Sequence, residues 1–227
     1  ATAAGVLVTN TPDVLTEATA ELAWALAFAA ARRVVEGHNL LVRGEWRGWA
    51  PDFLVGHSVT GSVVGVIGAG RIGQAFVRMG QGFGCRFLYH NRSRKPDLER
   101  DTGAAYRELD DLLRESDIVS IHLPGGAETK RLLDARRLGL MKPTAVLVNT
   151  GRGQIIDEAA LAQALREHRL AAAGLDVYEK EPQAHPDLLA LPNAVLAPHI
   201  GSATFRCRTA AADRCAENVE MFMKGLR

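Results

Sequence analysis

Gly68-Ala69-Gly70-Arg71-Ile72-Gly73 is the stretch of sequence that decides the fold. It matches the pattern GxGxxG, directly follows an apolar strand predicted at residues 62–67, and opens a helix predicted at 71–83. In this setting the first glycine permits a tight turn, the second lets a pyrophosphate approach the backbone, and the third lets helix and strand pack closely. The helix N-terminus adds free N–H groups and the positive end of a dipole. All six residues are therefore predicted to form a dinucleotide-binding loop.

Outward from this loop, predicted strands and helices alternate along the chain. Strands are predicted at residues 6–9, 62–67, 85–90, 118–123, 145–149, 172–177 and 193–196. Helices are predicted at residues 16–36, 71–83, 109–115, 134–140, 157–168 and 204–224. Apolar strands separated by helices indicate βαβ units and a parallel sheet covered on both faces. With right-handed crossovers, the pattern predicts an α/β fold with a doubly wound parallel sheet of the Rossmann type.

The segment after the second strand of this unit, Asn91-Arg92-Ser93-Arg94, bears on the choice of dinucleotide. Enzymes that use NAD usually have Asp or Glu here to hold the ribose 2′-hydroxyl, but no carboxylate occurs before Asp97. Arg92 and Arg94 are suited to clamp a 2′-phosphate instead. The segment therefore favours NADP(H), with NAD(H) possible, although a solvated basic loop would have the same sequence.

Three ionisable residues follow later predicted strands: Arg152, Glu181 and His199. The carboxyl ends of parallel strands share one edge of a sheet, where ligands bind. Arginine is a bidentate donor for a carboxylate, histidine can donate a proton to a carbonyl oxygen, and a neighbouring carboxylate favours and orients the protonated imidazole. The trio suits reduction of a 2-keto acid. Taken singly, each residue is better explained as a surface charge or a hydrogen-bonded histidine.

Taken together, these motifs resemble the D-isomer-specific 2-hydroxyacid dehydrogenases, and in particular their glyoxylate/hydroxypyruvate reductase branch. The matching segments occur in order at residues 8–12, 68–73, 92–94, 149–153, 174–182 and 198–202. The resemblance implies NAD(P)H-dependent reduction of glyoxylate or hydroxypyruvate to the D-2-hydroxy acid. It makes Arg152 the substrate-binding residue, His199 the proton donor and Glu181, rather than Glu179, the partner of His199.

The resemblance also implies further cofactor contacts. Asp176 would contact the nicotinamide carboxamide. The other residues expected to line the cofactor are Leu123, Pro124, Thr150, Gly151, Ile200 and Gly201. No metal site is predicted.

The same comparison predicts how the chain is divided. Residues 1–15 are expected to be the remnant of a substrate domain, 16–205 the dinucleotide-binding domain, and 206–227 a C-terminal helix returning toward the substrate domain. Most of that second domain is then absent from this chain. Because the missing loops would orient the keto acid and exclude water, we expect weak activity.

Composition and the first helix bear on partners. The 27 basic and 26 acidic residues give a net charge of +1, which offers no sign of a nucleic-acid or membrane partner. Three cysteines without metal or disulfide spacing favour the reducing cytoplasm. The helix at 16–36 is apolar on most faces and must be buried. It is either a core helix or, as the resemblance favours, the interface of a homodimer.

Two other functions remain open at this stage. One is a D-3-phosphoglycerate or D-lactate-type dehydrogenase on the same scaffold. The other is a non-enzymatic, dinucleotide-sensing protein similar to the corepressors that share the fold.

Overall fold

One parallel sheet organises the chain in the computed structural model, which describes residues 1–225. In these residues the strands are β1 (Val63–Ile67), β2 (Arg86–His90), β3 (Ala105–Tyr106), β4 (Ile118–Ile121), β5 (Val146–Asn149), β6 (Ala172–Leu175) and β7 (Ala194–Leu196). Their order across the sheet is β3-β2-β1-β4-β5-β6-β7, and every neighbouring pair is parallel. The chain direction across the sheet reverses between β1 and β4, which opens a crevice at their carboxyl ends.

Helices cover both faces of the sheet, so the predicted doubly wound Rossmann-type fold is confirmed. They are α1 (Thr16–Ala31), α2 (Val34–Val42), α3 (Arg71–Gly80), α4 (Pro96–Thr102), α5 (Leu109–Glu115), α6 (Ala135–Leu138), α7 (Glu158–Arg166), α8 (Pro186–Leu189) and α9 (Phe205–Met223). Adjacent residues of β2 enter opposite cores, because side chains alternate along a strand. Phe87 packs in the core that contains Trp24 and Phe76, and Leu88 packs in the core that contains Leu112.

Helix α1 belongs to the first of these cores. The Trp24 ring stacks on Phe76 of α3 with 4.3 Å between ring centroids, and its Nε1–H donates to the Phe76 carbonyl at 2.9 Å. Ala20, Ala23 and Ala27 are fully buried, and their small side chains let α1 lie close to the sheet. Most of the apolar surface that the sequence assigns to this helix is therefore buried by the chain itself.

The single helix predicted at residues 16–36 is wrong in its extent. Helix α1 ends at Ala31, Arg33 adopts a left-handed conformation with φ of 54°, and α2 then continues past Gly37 to residue 42. The break comes from tertiary structure. The returning chain places the His57 N–H 2.8 Å from the Ala31 carbonyl, and this bond replaces one that a continuing helix would make.

The strand predicted at residues 6–9 is also wrong, since those residues form no regular structure. Val6, Leu7 and Val8 are all more than half exposed. A strand needs a neighbour to accept and donate its backbone hydrogen bonds, and no strand of the described chain lies beside this segment. Helices α4 and α8 and the short β3 are present without having been predicted. The remaining elements agree with prediction to within a few residues at each end.

The two ends of the described chain lie together at the surface. Helix α9 is exposed along most of its length, and Asn218 donates to the Asn10 carbonyl at 3.2 Å. Residues 226 and 227, the end of the predicted C-terminal segment, lie outside the described residues. Among residues 1–225, no helix combines the length and apolar character required to cross a membrane.

Candidate active site

The glycine loop lies between the end of β1 and the start of α3. Gly68 has φ of 97°, a conformation that disfavours residues with a Cβ, and its N–H donates to the His90 carbonyl at 2.9 Å. A Cβ on Gly73 would overlap the Gly68 carbonyl oxygen, whereas a Cβ on Gly70 would meet no atom within 4 Å. The first and third glycines are thus required by the protein itself. The second leaves open space beside the helix N-terminus.

The rest of the loop leaves the start of α3 available. Gly70 is its N-cap, and no side chain caps the first N–H groups. The Arg71 side chain points away to an exposed ion pair with Asp13 at 2.8 Å, Ala69 is buried and Ile72 is half-buried. The helix therefore offers uncapped N–H groups and its positive dipole end to an anion.

A cavity of about 470 Å³ lies against this loop. Its walls are formed by Gly68, Gly70, residues 90–92, residues 122–129 and Leu132. Leu123 and Pro124, which the resemblance places beside a cofactor, are thus two of its lining residues. The Nδ1 atom of His122 is buried without a hydrogen-bond partner in the described chain. Burial lowers the pKa of His122 to about 3, so the ring is neutral at physiological pH.

Thr150 carries a second polar atom of this kind, on the neighbouring strand end. The residue is 7% exposed, and its Oγ1 has no partner among the described residues. A buried polar atom without a partner is unfavourable. These two atoms, the open space at Gly70 and the uncapped helix N-terminus are all features that fit a bound dinucleotide.

The residues of the segment after β2 have different contacts. Asn91 is half-buried and donates to the Ser93 carbonyl at 3.0 Å, while Arg92 is 93% exposed and lies 3.9 Å from Glu128 across the cavity. Arg94 is bound to Glu99 by two hydrogen bonds of 2.7 and 3.1 Å. Of the two predicted phosphate-binding arginines, Arg92 thus lines the cavity, and Arg94 is engaged by a carboxylate.

Asn149, the last residue of β5, shapes the loop that carries Arg152. Its Oδ1 accepts from the Gly151 N–H at 3.0 Å, and its Nδ2 donates to the Arg152 carbonyl at 3.0 Å. Gly151 is buried against the Leu123 carbonyl, where a Cβ would come within 2.8 Å. Arg152 is exposed, and its Nη1 donates to the Gly151 carbonyl at 2.7 Å.

His199 and Glu181 are in contact. The His199 Nδ1 lies 2.8 Å from Glu181 Oε2, and since an ionised carboxylate is only an acceptor, Nδ1 carries the proton. Glu181 Oε1 also accepts from the Tyr178 N–H at 3.2 Å. The competing candidate, Glu179, instead lies 3.6 Å from Arg131, so the structure brings Glu181 and not Glu179 to the histidine.

The electrostatics of Glu181 link it to the other two members of the trio. Burial alone would raise its pKa, but the hydrogen bonds from His199 and the Tyr178 N–H, with the charges of His199 and Arg152, hold the pKa below its usual value. The pair faces solvent, with His199 51% and Glu181 37% exposed. Tyr178, Glu181 and His199 line a separate cavity of about 600 Å³, with apolar residues between 182 and 198.

Asp176 organises the segment after β7. It is 1% exposed, and its two oxygens accept from the Ile200 and Gly201 N–H groups at 2.7 and 2.8 Å. His199, just before them, has φ of 54°. Burial raises the pKa of Asp176 against the lowering effect of these two N–H groups. The carboxylate therefore holds the histidine loop in its turn, in addition to any contact with a cofactor.

Sequence reasoning missed three residues that shape this site. Asn149 had a visible signal, a lone polar residue at the end of an apolar strand. Tyr178 and Glu158 had none. Tyr178 donates through its hydroxyl to the Ala197 carbonyl at 2.9 Å, and Glu158 accepts from the Glu179 N–H at 2.6 Å. Both contacts join segments that are distant in sequence. Among the described residues no cluster of three or more His, Cys, Asp or Glu could hold a metal ion.

Comparisons with a family profile and with individual proteins point to the same family. Residues 24–201 match the sequence profile described as "D-isomer specific 2-hydroxyacid dehydrogenase, NAD binding domain". The glyoxylate reductase of Aeropyrum pernix is 53% identical over 231 residues, and that of Thermococcus kodakarensis is 50% identical over 229 residues. Each alignment covers 99% of this chain and 69% of the relative.

A solved structure of similar shape contains a cofactor. It is the NADPH-dependent glyoxylate/hydroxypyruvate reductase of Sinorhizobium meliloti in complex with NADP and malonate. It superimposes with a TM-score of 0.89 at 38% sequence identity, and the alignment covers 98% of this chain and 69% of the other.

Proposed function

Because this chain belongs to the D-isomer-specific 2-hydroxyacid dehydrogenases, and is thus an NAD(P)-dependent oxidoreductase, we propose that it reduces glyoxylate or hydroxypyruvate to the D-2-hydroxy acid. The observation that carries the proposal is the His199–Glu181 hydrogen bond of 2.8 Å, at the same sheet edge as the glycine loop and Arg152. The similarity of the chain to two glyoxylate reductases supports the choice of substrate.

Each member of the trio has a distinct role in this proposal. The planar guanidinium of Arg152 binds the carboxylate of the keto acid through two parallel hydrogen bonds. Glu181 holds the Nδ1–H of His199, which directs Nε2 toward the substrate. When bound, the reduced nicotinamide supplies the hydride that adds to the keto carbon. His199 donates the Nε2 proton to the carbonyl oxygen, which becomes the product hydroxyl.

The dinucleotide would be held along the carboxyl edge of the sheet. Gly68 to Gly73 and the N-terminus of α3 bind the pyrophosphate, and Thr150 Oγ1 gains the hydrogen-bond partner that it lacks among the described residues. Asp176 is proposed to contact the nicotinamide carboxamide, and Gly151, Ile200 and Gly201 line its path.

We assign NADP(H) as the preferred cofactor. Support comes from the missing carboxylate at Asn91 and from Arg92, whose side chain is 93% exposed at the cavity wall. Arg94 contributes only after release from Glu99. Fluorescence titration with NADPH and NADH tests the assignment: NADPH should bind more tightly, and the substitution Arg92→Ala should weaken NADPH while leaving NADH unchanged. Tighter binding of NADH would contradict it.

A panel of keto acids tests the substrate. With NADPH present, glyoxylate and hydroxypyruvate should be reduced faster than pyruvate or a phosphorylated keto acid. Binding of NADPH without turnover of any keto acid, both by this chain and by the protein extended to the length of its relatives, would favour a dinucleotide sensor. Residues 1–15 are proposed to be the remnant of a second domain, and residues 206–227 a helix returning toward it. Comparing the two forms therefore measures what that domain contributes.

We also propose a homodimer, in a cytoplasmic setting consistent with three free cysteines. Helix α1 was predicted as the contact, but its larger apolar side chains are buried by α3 and the sheet. The exposed apolar side chains follow it, with Leu41, Val42, Trp46 and Trp49 between 52 and 80% exposed. A two-fold axis beside α1 would let this segment of each copy cover the other.

Light scattering coupled to size exclusion tests the dimer. The parent protein should run as a dimer, and the substitution Trp49→Ser should shift it toward monomer. The matched control is Phe205→Ser on α9, which removes a side chain that is 97% exposed outside the segment and should leave the dimer intact. A monomeric parent protein would refute the proposal.

A further inference from the structure

The loop between β6 and α8 carries Glu181, yet it has few backbone hydrogen bonds of its own. Within residues 176–185 the chain forms one short antiparallel bridge, between Lys180 and Gln183. A catalytic carboxylate on such a loop needs external support, because a displacement of about 1 Å at the reacting groups can reduce the rate by about a hundredfold.

Glu158 is a buried residue outside this loop that is hydrogen-bonded to it. It is the first residue of α7 and is 6% exposed. Its Oε1 accepts from the Glu179 N–H at 2.6 Å, two residues before Glu181. Hydrogen bonds from a backbone N–H to a carboxylate are stronger than those between neutral groups.

The same residue is joined through the chain to the other side of the site. Glu158 lies six residues after Arg152, and the segment between them begins with Gly153. A Cβ on Gly153 would overlap the backbone of Tyr178 and Glu179, so the Arg152 loop and the Glu181 loop are in direct backbone contact there. The hydrogen bond between Glu158 and the Glu179 N–H is a second link between the two loops.

The charge of Glu158 is unusual for a residue with a purely packing role. Within the described residues, no basic side chain lies within 4 Å of it in an ion pair, while its neighbours Asp157 and Glu179 both lie 3.6 Å from Arg131. Burial raises the pKa of Glu158, as does the charge of Glu179, whereas the Glu179 N–H, the charge of His185 and the His185 N–H lower it. A buried carboxylate that forms no ion pair within 4 Å is costly, whereas an apolar residue of the same size would pack at this position without that cost.

We propose that Glu158 is a positioning residue, which holds the Glu181 loop in register with the Arg152 loop so that the His199–Glu181 pair faces the substrate bound by Arg152. The inference rests on the proposed function for its effect on turnover. The hydrogen bond between His199 and Glu181 exists whatever the substrate, so the structural part can be tested independently.

Two substitutions separate positioning from packing. Glu158→Gln keeps a carbonyl oxygen for the Glu179 N–H at nearly the same volume, and Glu158→Leu keeps the volume but removes the acceptor. The matched control is Asp117→Leu at the opposite edge of the sheet, because Asp117 also accepts a backbone N–H, that of Val63 at 2.9 Å. All three are made in the intact protein.

The first measurement is the low-field proton resonance of His199 Nδ1–H in NMR spectra. We expect it to be present in the parent protein, retained in Glu158→Gln and Asp117→Leu, and lost or broadened in Glu158→Leu. The second measurement is kinetic. The kcat for glyoxylate should fall by about 10- to 100-fold in Glu158→Leu, while the Kd for NADPH stays within about twofold. Glu158→Gln should recover most of the activity.

Different failures have different meanings. A parent protein that reduces no keto acid refutes the proposed function, but the His199 resonance still reports on Glu158. An unchanged resonance in a folded Glu158→Leu variant refutes the positioning role. Loss of the resonance in Asp117→Leu as well would show that it follows global stability, and would also overturn the inference.

Discussion

The two edges of the sheet differ in how they satisfy their buried and half-buried polar groups. At the amino edge, Asp117 accepts from the Val63 N–H at 2.9 Å and from Lys142 at 2.7 Å. Asn193, just before β7, donates to two backbone carbonyls at 3.1 and 3.2 Å. At the carboxyl edge, Thr150 Oγ1 and His122 Nδ1 are buried without a partner in the described chain.

The difference separates polar groups that are hydrogen-bonded within the protein from polar groups that are available to a ligand. An unsatisfied buried polar atom costs about 1–3 kcal/mol, and at the amino edge the half-buried Asp117 and Asn193 both have hydrogen-bond partners. The carboxyl edge accepts that cost beside an uncapped helix and an open glycine. Variants at the two edges should therefore behave oppositely, with stability lost at one and binding or catalysis lost at the other.

The largest expected effect is at His199. The substitution His199→Asn removes the proton donor, and kcat for glyoxylate reduction should fall by about 10²- to 10⁴-fold, with little change in the Kd for NADPH. Steady-state kinetics and fluorescence titration measure the two quantities. The matched control at the amino edge is His57→Asn, which should leave kcat unchanged. Near-normal turnover by His199→Asn would remove the proposed mechanism.

The glycine loop gives the next largest effect. In Gly70→Ala the new Cβ meets no protein atom within 4 Å, so Tm should not change, but the methyl group occupies the path of the pyrophosphate. The Kd for NADPH should rise by about tenfold or more. Thermal melting and titration together give the answer, and unchanged affinity would place the pyrophosphate elsewhere.

Gly73→Ala serves as the contrasting variant within the same loop. Its Cβ overlaps the Gly68 carbonyl, so both Tm and NADPH affinity should fall. If the two variants behaved alike in Tm, the distinction between a glycine required by the protein and one required by the ligand would be lost.

A matched pair of variants tests the edge comparison directly. Thr150→Val removes an oxygen that has no described partner, so the free energy of unfolding should not decrease, while NADPH affinity should fall several-fold. Asn193→Leu removes both donors at the amino edge and should cost about 2 kcal/mol in the free energy of unfolding, with affinity unchanged. Urea denaturation and titration measure both, and the reverse pattern would contradict the comparison.

The smallest effect concerns the pH dependence of Glu181. Its folded pKa is depressed, so its ionised form contributes stability above the unfolded pKa of about 4.3, and the contribution is lost as the pH falls through the folded value. Because the pair is exposed, the contribution should be below about 1 kcal/mol. Denaturation of the parent protein and Glu181→Gln should differ at pH 6 and converge as the pH is lowered toward 3. A difference that grows on acidification would reverse the sign.

Much of the fold could be predicted because its signals are local. The alternation of apolar strands and helices after Ser62 predicts the parallel sheet, and the glycines from Gly68 to Gly73 predict the turn between the first strand and its helix. The elements that were wrong or missed depend on distant contacts. The end of α1 is set by His57, which lies 26 residues beyond Ala31, and no periodicity in the helix itself records that contact.

The grouping of the candidate site residues at one sheet edge could be predicted from the sequence, but most of their contacts could not. Parallel strands bring their carboxyl ends to one edge, so Arg152, Glu181 and His199 could be grouped from their positions after strands. The choice of Glu181 over Glu179 as the partner of His199 came from family resemblance. The structure adds its reason, because Glu179 is turned toward Arg131 and its N–H is held by Glu158.

The amino-acid sequence alone determined the sheet, the glycine loop and the chemical types of the residues that follow the strands, because strand period, turn-forming glycines and chemical type are properties of neighbouring residues. Tertiary structure decided which carboxylate meets the histidine, which arginine lines the cavity beside the glycine loop, and which buried polar atoms of the described chain have no partner. Those outcomes depend on distances between segments far apart in the chain. They exist only after hydrophobic burial has brought the segments together.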